Sequence, residues 1–137
     1  MAEQEDVRYS YASLVFRGKD LEPQRVTEIL GIIPSRSFRR GDWRTETKKW
    51  PHGYWTLTSS GNVESMDLAL HIQWLIDQLE PVQPGLIQLL KEKSISAVLS
   101  CFWTLQAGHG GLSLNHHLLD RIATLGLNVE LDVYCPD

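Results

Sequence analysis

Four segments of the chain alternate apolar and polar residues with a period of two, and this restricts the fold more than any other feature. In "NVELDVYC" (128–135), Val129, Leu131, Val133 and Cys135 fall on one face and Glu130, Asp132 and Tyr134 on the other. "YSYASLVF" (9–16) divides into Ala12, Leu14 and Phe16 against Tyr9, Tyr11, Ser13 and Val15. "GYWTLTS" (53–59) sets Trp55 and Leu57 against Tyr54, Thr56 and Thr58, and "SISAVLSCFW" (94–103) aligns Ile95, Ala97, Leu99, Cys101 and Trp103. Successive side chains of a strand point to opposite faces, so each segment predicts a strand with one apolar face. Strands covered on both faces would instead read as unbroken apolar runs. The pattern therefore predicts a sheet with its helices on one side and the other side open to water or a partner.

Helical signals fill the gaps. "LEPQRVTEILG" predicts a short helix with Pro23 at its first position, Gly31 as its stop, and Leu21 and Val26 as a hydrophobic staple. Leu68, Ile72, Leu75, Ile76 and Leu79 form one stripe of a longer helix, with Trp74 beside it in the core. Pro81 and Pro84 break that helix, and "GLIQLLKEK" resumes as a shorter one. Asn115 caps a last helix, "HHLLDRIATLG", with Leu114 and Leu119 as its staple and Gly126 as its stop. The order is strand, helix, strand, a helical insert, then strand, helix, strand. The matching staples and Leu-Gly endings suggest a duplicated strand–helix–strand unit. The expected fold is α+β, a mostly antiparallel four-stranded sheet with helices on one face, ferredoxin-like with a helical insert.

At 137 residues the chain fits one domain, and 42% hydrophobic with 22% charged residues is a globular rather than a disordered composition. Residues 1–8 are expected to be a flexible acidic start to a single domain over 9–137. "MAEQEDVR" has no apolar run behind a basic segment, and no stretch approaches the length of a membrane span, so a cytoplasmic protein without membrane contact is expected. Cys101 and Cys135 each fall in an apolar strand pattern and predict two buried free thiols.

"DLEPQRVTEILGIIPSRSFRRGD", "GYWTLTS", "HIQWLIDQLEP" and "GHGGLSLNHHLLDRIATLGLNVELDVY" occur in this order, and in them the chain resembles the DUF4279 family of small, mostly bacterial proteins of unknown function. The resemblance spans roughly residues 11–134. It implies no catalytic residues, since the family has none assigned. Two positions depart from its pattern: Glu22 stands where a shorter cap such as Asp is expected before Pro23, and His116 where a helix-starting Pro is usual.

Charge is unevenly distributed. Arg36, Arg39, Arg40, Arg44, Lys48 and Lys49 lie between positions 36 and 49 with only Asp42 and Glu46 to oppose them, a local net of +4 in a chain whose formal net is −4. Arginine suits bidentate contact with phosphate or carboxylate, and Trp43 and Trp50 could add a flat apolar wall. The competing reading pairs these arginines with the protein's own acids. A second candidate is the loop "AGHGGLSLN", whose glycines could form an anion nest before the helix that follows Asn115, with His109 as a proton donor and Gly110 in the nest. In the ferredoxin-like arrangement this loop and "FRGKDLE" would lie at one end of the sheet. The candidate ligand-binding set is therefore Arg36, Arg39, Arg40, Asp42, Trp43, Arg44, His109 and Gly110.

Other chemistries are disfavoured. An acidic chain lacks the broad positive field of nucleic-acid binders, and Glu130 and Asp132 share the open face with Tyr9, Tyr11 and Phe102. His116 and His117 are adjacent on a helix, about 100° apart, with no ligand at metal spacing beside them, and no cofactor fingerprint is present. Asp77 and Glu80 read as solvated acids at a helix end. The expectation is a non-enzymatic binding or interaction module that docks an anionic small molecule or an acidic protein partner through the arginine-rich loop, with a homodimer through the open face as one partner arrangement. The alternative is an enzyme acting on a phosphorylated or carboxylated small molecule with His109 as general acid or base.

Overall fold

A computed structural model describes residues 10–104 and 111–134. Its strands are β1 (Ser10–Gly18), β2 (Arg36–Phe38), β3 (Gly53–Thr58), β4 (Ser96–Thr104) and β5 (Val129–Tyr134). Its helices are α1 (Pro23–Leu30), α2 (Leu68–Leu79), α3 (Gln83–Leu90) and α4 (His116–Thr124), with a 3-10 turn at Glu80–Val82 between α2 and α3. The strands form one sheet in the order β2-β3-β1-β4-β5. Neighbours are antiparallel except β4 and β5, which run parallel.

The alternation holds. Ala12, Leu14, Phe16, Trp55, Leu57, Leu99 and Cys101 are buried on one face and merge with Val26, Leu30, Leu75, Leu86 and Ile122 from the helices into a single core. The predicted α2 stripe is buried throughout, and Trp74 packs against it half-buried. Gly31 ends α1 with φ 69°, a left-handed backbone that glycine adopts without strain. Pro84 stands in the first turn of α3, where a missing N–H is harmless, so α3 starts earlier than the glycine at which it was expected. Asn115 caps α4 by accepting the Leu118 N–H at 2.9 Å.

The sheet has five strands, not four, and is mixed. The added strand, β2, lies inside the arginine segment and pairs with β3. The ferredoxin-like duplication is not confirmed: around α1, β1 and β3 are adjacent and antiparallel, whereas around α4, β4 and β5 are adjacent and parallel. The halves also differ in packing. Leu21 and Val26 both enter the core, but Leu119 of the second expected staple is 47% exposed. Helix α4 rests on α2, and the apolar side of β5 stays open, with Leu131 50% and Val133 46% exposed. Cys101 is buried as expected; Tyr9, Cys135, the acidic start and the His109 loop lie outside the described residues.

Register also starts the two loops expected at one end of the sheet from opposite ends. Because β1 and β4 are antiparallel, Ser10 faces Trp103 while Arg17 faces Ser96. The chain thus leaves β4 at Thr104 from the end opposite Gly18, where the loop to α1 begins. At the Gly18 end that loop runs tightly over β3: a Cβ built on Gly53 would lie 2.1 Å from the Leu21 carbonyl oxygen.

Candidate functional site: an arginine and aromatic ladder on the open sheet face

Residues 34–50, expected as a long loop between the first helix and the second strand, contain β2 and a hydrogen-bonded return. After β2 the chain folds back on itself: the Gly41 N–H donates to the Trp50 carbonyl at 2.9 Å, the Trp50 N–H to the Asp42 carbonyl at 2.8 Å, and Arg44 N–H to the Lys48 carbonyl at 2.8 Å. Asp42 is a turn former here, its carboxylate accepting the Arg39 N–H at 2.8 Å. This return brings Trp50 onto the outer face of the sheet beside β2 and β3.

Pairing fixes which side chains share that face. Phe38 lies opposite Tyr54 and Arg36 opposite Thr56 across β2–β3, and Tyr54 lies opposite Arg17 across β3–β1. The rings form a stack, Phe38 on Trp50 at 4.0 Å between centroids and Trp50 near Tyr54 at 6.2 Å. Three guanidinium groups cover it: Arg36 lies 4.7 Å from the Phe38 ring, Arg44 4.8 Å from Trp50, and Arg17 5.8 Å from Tyr54. A guanidinium laid on a ring face is held by the ring quadrupole while its N–H edge stays free to donate.

The predicted arginines therefore divide into two pairs. Arg39 donates through Nε to Glu22 at 2.9 Å, and Arg40 pairs with Asp20 at 2.8 Å, so both are neutralised by the loop ahead of α1. The shallow hollow of about 300 Å³ beside Arg39 includes Glu22 and Asp42, and so is not a cationic clamp. Arg36 and Arg44 have no acidic partner among the described residues, and neither has Arg17. Trp43 is 65% exposed with the Lys49 ammonium 4.8 Å from its ring, away from the stack. His109 and Gly110 fall outside the described residues.

Sequence reasoning missed Arg17, Phe38 and Tyr54 as site residues. Arg17 was legible in principle, since β1 continues past Phe16 and its alternation turns position 17 outward. Phe38 was not, because its face depends on the pairing of a three-residue strand.

Several of the remaining polar groups have structural partners, although Ser10 Oγ and His52 Nδ1 are buried without a hydrogen-bond partner among the described residues. His71, 1% exposed, receives the Ser59 hydroxyl at Nδ1 at 2.6 Å and donates from Nε2 to the Ser65 carbonyl at 2.8 Å, while Ser59 Oγ accepts the Ala12 N–H at 2.9 Å. This was not anticipated from the sequence; it ties β1 and the end of β3 to α2. Asp77 and Glu80, expected to be merely solvated, are both held by Arg121 of α4, at 2.6 and 2.9 Å. That bond draws the Glu80 carboxyl below its usual range and raises Arg121. The rings of His116 and His117 touch at 4.0 Å despite their angular separation on the helix. Among the described residues no three His, Cys, Asp or Glu side chains gather as metal ligands, and no helix is long and apolar enough to cross a membrane.

No curated protein and no solved structure gives a significant match to the chain. At family level there is a match: the model of a domain of unknown function, DUF4279, covers residues 8–136, and the chain belongs to that family.

Proposed function

We propose that the protein is a non-enzymatic binding module and that the ladder of Arg17, Arg36 and Arg44 docks the anionic group of a ligand or the acidic surface of a protein partner. One observation carries this reading: three guanidiniums lie on a continuous aromatic stack with no acid paired to them among the described residues, while their sequence neighbours Arg39 and Arg40 are paired. The stack restricts the guanidiniums, which lowers the ordering that docking would require. The site is a surface rather than a cavity, which suits contact and orientation better than a reaction sequestered from water.

The test is a thermal-shift series with tripolyphosphate, nucleotides, citrate and poly-glutamate on the wild-type chain and on Arg36→Gln/Arg44→Gln. A ligand at 100 times its Kd stabilises by about 2.7 kcal/mol, roughly a ten-degree rise in Tm for a domain of this size. The rise is expected for at least one polyanion and is absent from the double variant. A flat response across the series, or an equal one in the variant, overturns the reading.

A further inference from the structure

The open face carries a second uncompensated charge cluster. Glu130 and Asp132 on β5 lie opposite Ser100 and Phe102 of β4, which places them on the same face as Arg17 and Arg36. Both are exposed, and neither has a cationic partner among the described residues. Register sets both acids across the width of the sheet from Arg36, and Asp132 also toward the other end of the strands from Arg17. The basic cluster lies on β2, β3 and the Gly18 end of β1; the acidic one lies at the opposite edge, beside the Tyr11 and Trp103 end of β1 and β4. The two occupy diagonally opposed corners.

Each corner also carries stacked aromatics, Phe38, Trp50 and Tyr54 at the basic one and Tyr11 on Phe102, 5.2 Å apart, at the acidic one. Between them the face is made of smaller side chains, Ser13, Val15, Val98, Ser100, Thr56 and Thr58, of which Val15 and Thr56 are already buried within the monomer.

We infer that the acidic partner of the arginine ladder is a second copy of this chain, bound face to face about a two-fold axis. The inference rests on the docking reading above and names its partner. An axis in the plane between the sheets, along the other diagonal, lays each basic corner over the acidic corner of the opposite copy, so one complementarity is used twice. Strands of the two sheets then cross steeply, the orthogonal mode of sheet packing. The small residues in the middle let the sheets approach. The face offers on the order of 500 Å² per copy, from strands about 4.8 Å apart that range from three residues in β2 to nine in β1 and β4. A standard interface takes about 800 Å² from each partner, so this dimer is weak, concentration-dependent and weakened by salt.

Sedimentation velocity on the full chain at low and high salt tests this, with Arg36→Glu and Asp132→Arg, both exposed substitutions whose folding is checked by circular dichroism. Wild type is expected to dimerise at low salt. Each variant alone is expected to lose at least tenfold in dimer affinity, because like charges then oppose each other at both contacts. An equimolar mixture of the two variants recovers a heterodimer, since one contact is reversed and the other is native. A wild type that stays monomeric at high protein concentration, a dimer indifferent to both substitutions, or a mixture that stays monomeric overturns the inference. Tripolyphosphate binding by Asp132→Arg separates this from the broader reading: if that variant binds and Arg36→Glu does not while wild type never dimerises, docking stands and self-association falls. Absence of both removes the two together.

Discussion

Ser59 is among the most constrained side chains in the molecule: its hydroxyl accepts the Ala12 N–H, donates to His71 Nδ1, and has no access to water. Removing it leaves a buried amide and a buried imidazole nitrogen unmet, and an orphaned buried polar group costs about 1–3 kcal/mol. Ser59→Ala is therefore expected to lower the urea-unfolding free energy by that amount, while an exposed substitution such as Ser60→Ala leaves it nearly unchanged; equal effects would mean the network has no structural weight. Cys101 is set by burial alone, which pushes its thiol up to about 12. Little thiolate exists near neutral pH, so in a Cys135→Ser background Cys101 is expected to resist a disulfide reagent until the protein unfolds. Its burial was legible from alternation, because Leu99 and Cys101 share an apolar face. His71 was not, since a histidine within an apolar helical stretch gives no sign of a serine on a distant strand.

Single elements follow local signals closely, and the departures have local causes. Strand β2 was invisible because three residues, Arg-Ser-Phe, are too few for a period to show, and only pairing with β3 defines them. The arginine site was half legible for the same reason: composition located the charge, but pairing decides that Arg36 lies on rings and Arg39 on Glu22. Helix α4 gives an element-scale prediction. Arg121 bonds Glu80 and Asp77 across to the end of α2, and its hydrogen bond is the main reason that the Glu80 carboxyl is lowered from 4.5. A carboxyl lowered in the folded state contributes stability above its unfolded pKa and loses it as pH falls through the folded value. Both acids are more than a third exposed, so solvent reduces the contribution to about 1 kcal/mol at most. Arg121→Met is expected to be less stable than wild type at pH 7 by that margin. Urea titrations should show the gap closing as pH drops below about 4.5, the unshifted value; a gap that persists in acid would assign the effect to packing of the arginine stem.

Across the whole molecule, the sheet is held from its middle. Strand β1 is hydrogen-bonded on both edges and lies against α2, with Ala12, Leu14 and Phe16 fully buried beneath it. The rims are held less firmly for different reasons: β2 is three residues long, and in β5 only Val129 packs against the core while the residues from Glu130 to Tyr134 are exposed. Arg36 and the two acids lie on these rim strands, whereas Arg17 stands near the end of the central β1. Local opening free energies range from near zero at such edges to the global value in central strands. Hydrogen exchange at high salt, where self-association is suppressed, should therefore show β1 amides such as Leu14 and Phe16 exchanging about a thousandfold slower than those of β2 and β5, a gap of roughly 4 kcal/mol. Lowering the salt should slow exchange in β2 and β5 while leaving β1 at its global limit, because an interface that joins the two corners stabilises the rims before the centre. Uniform protection at high salt would mean that the sheet opens as one unit. Rims unaffected by salt would place the ladder on a surface that gains nothing from its opposite corner.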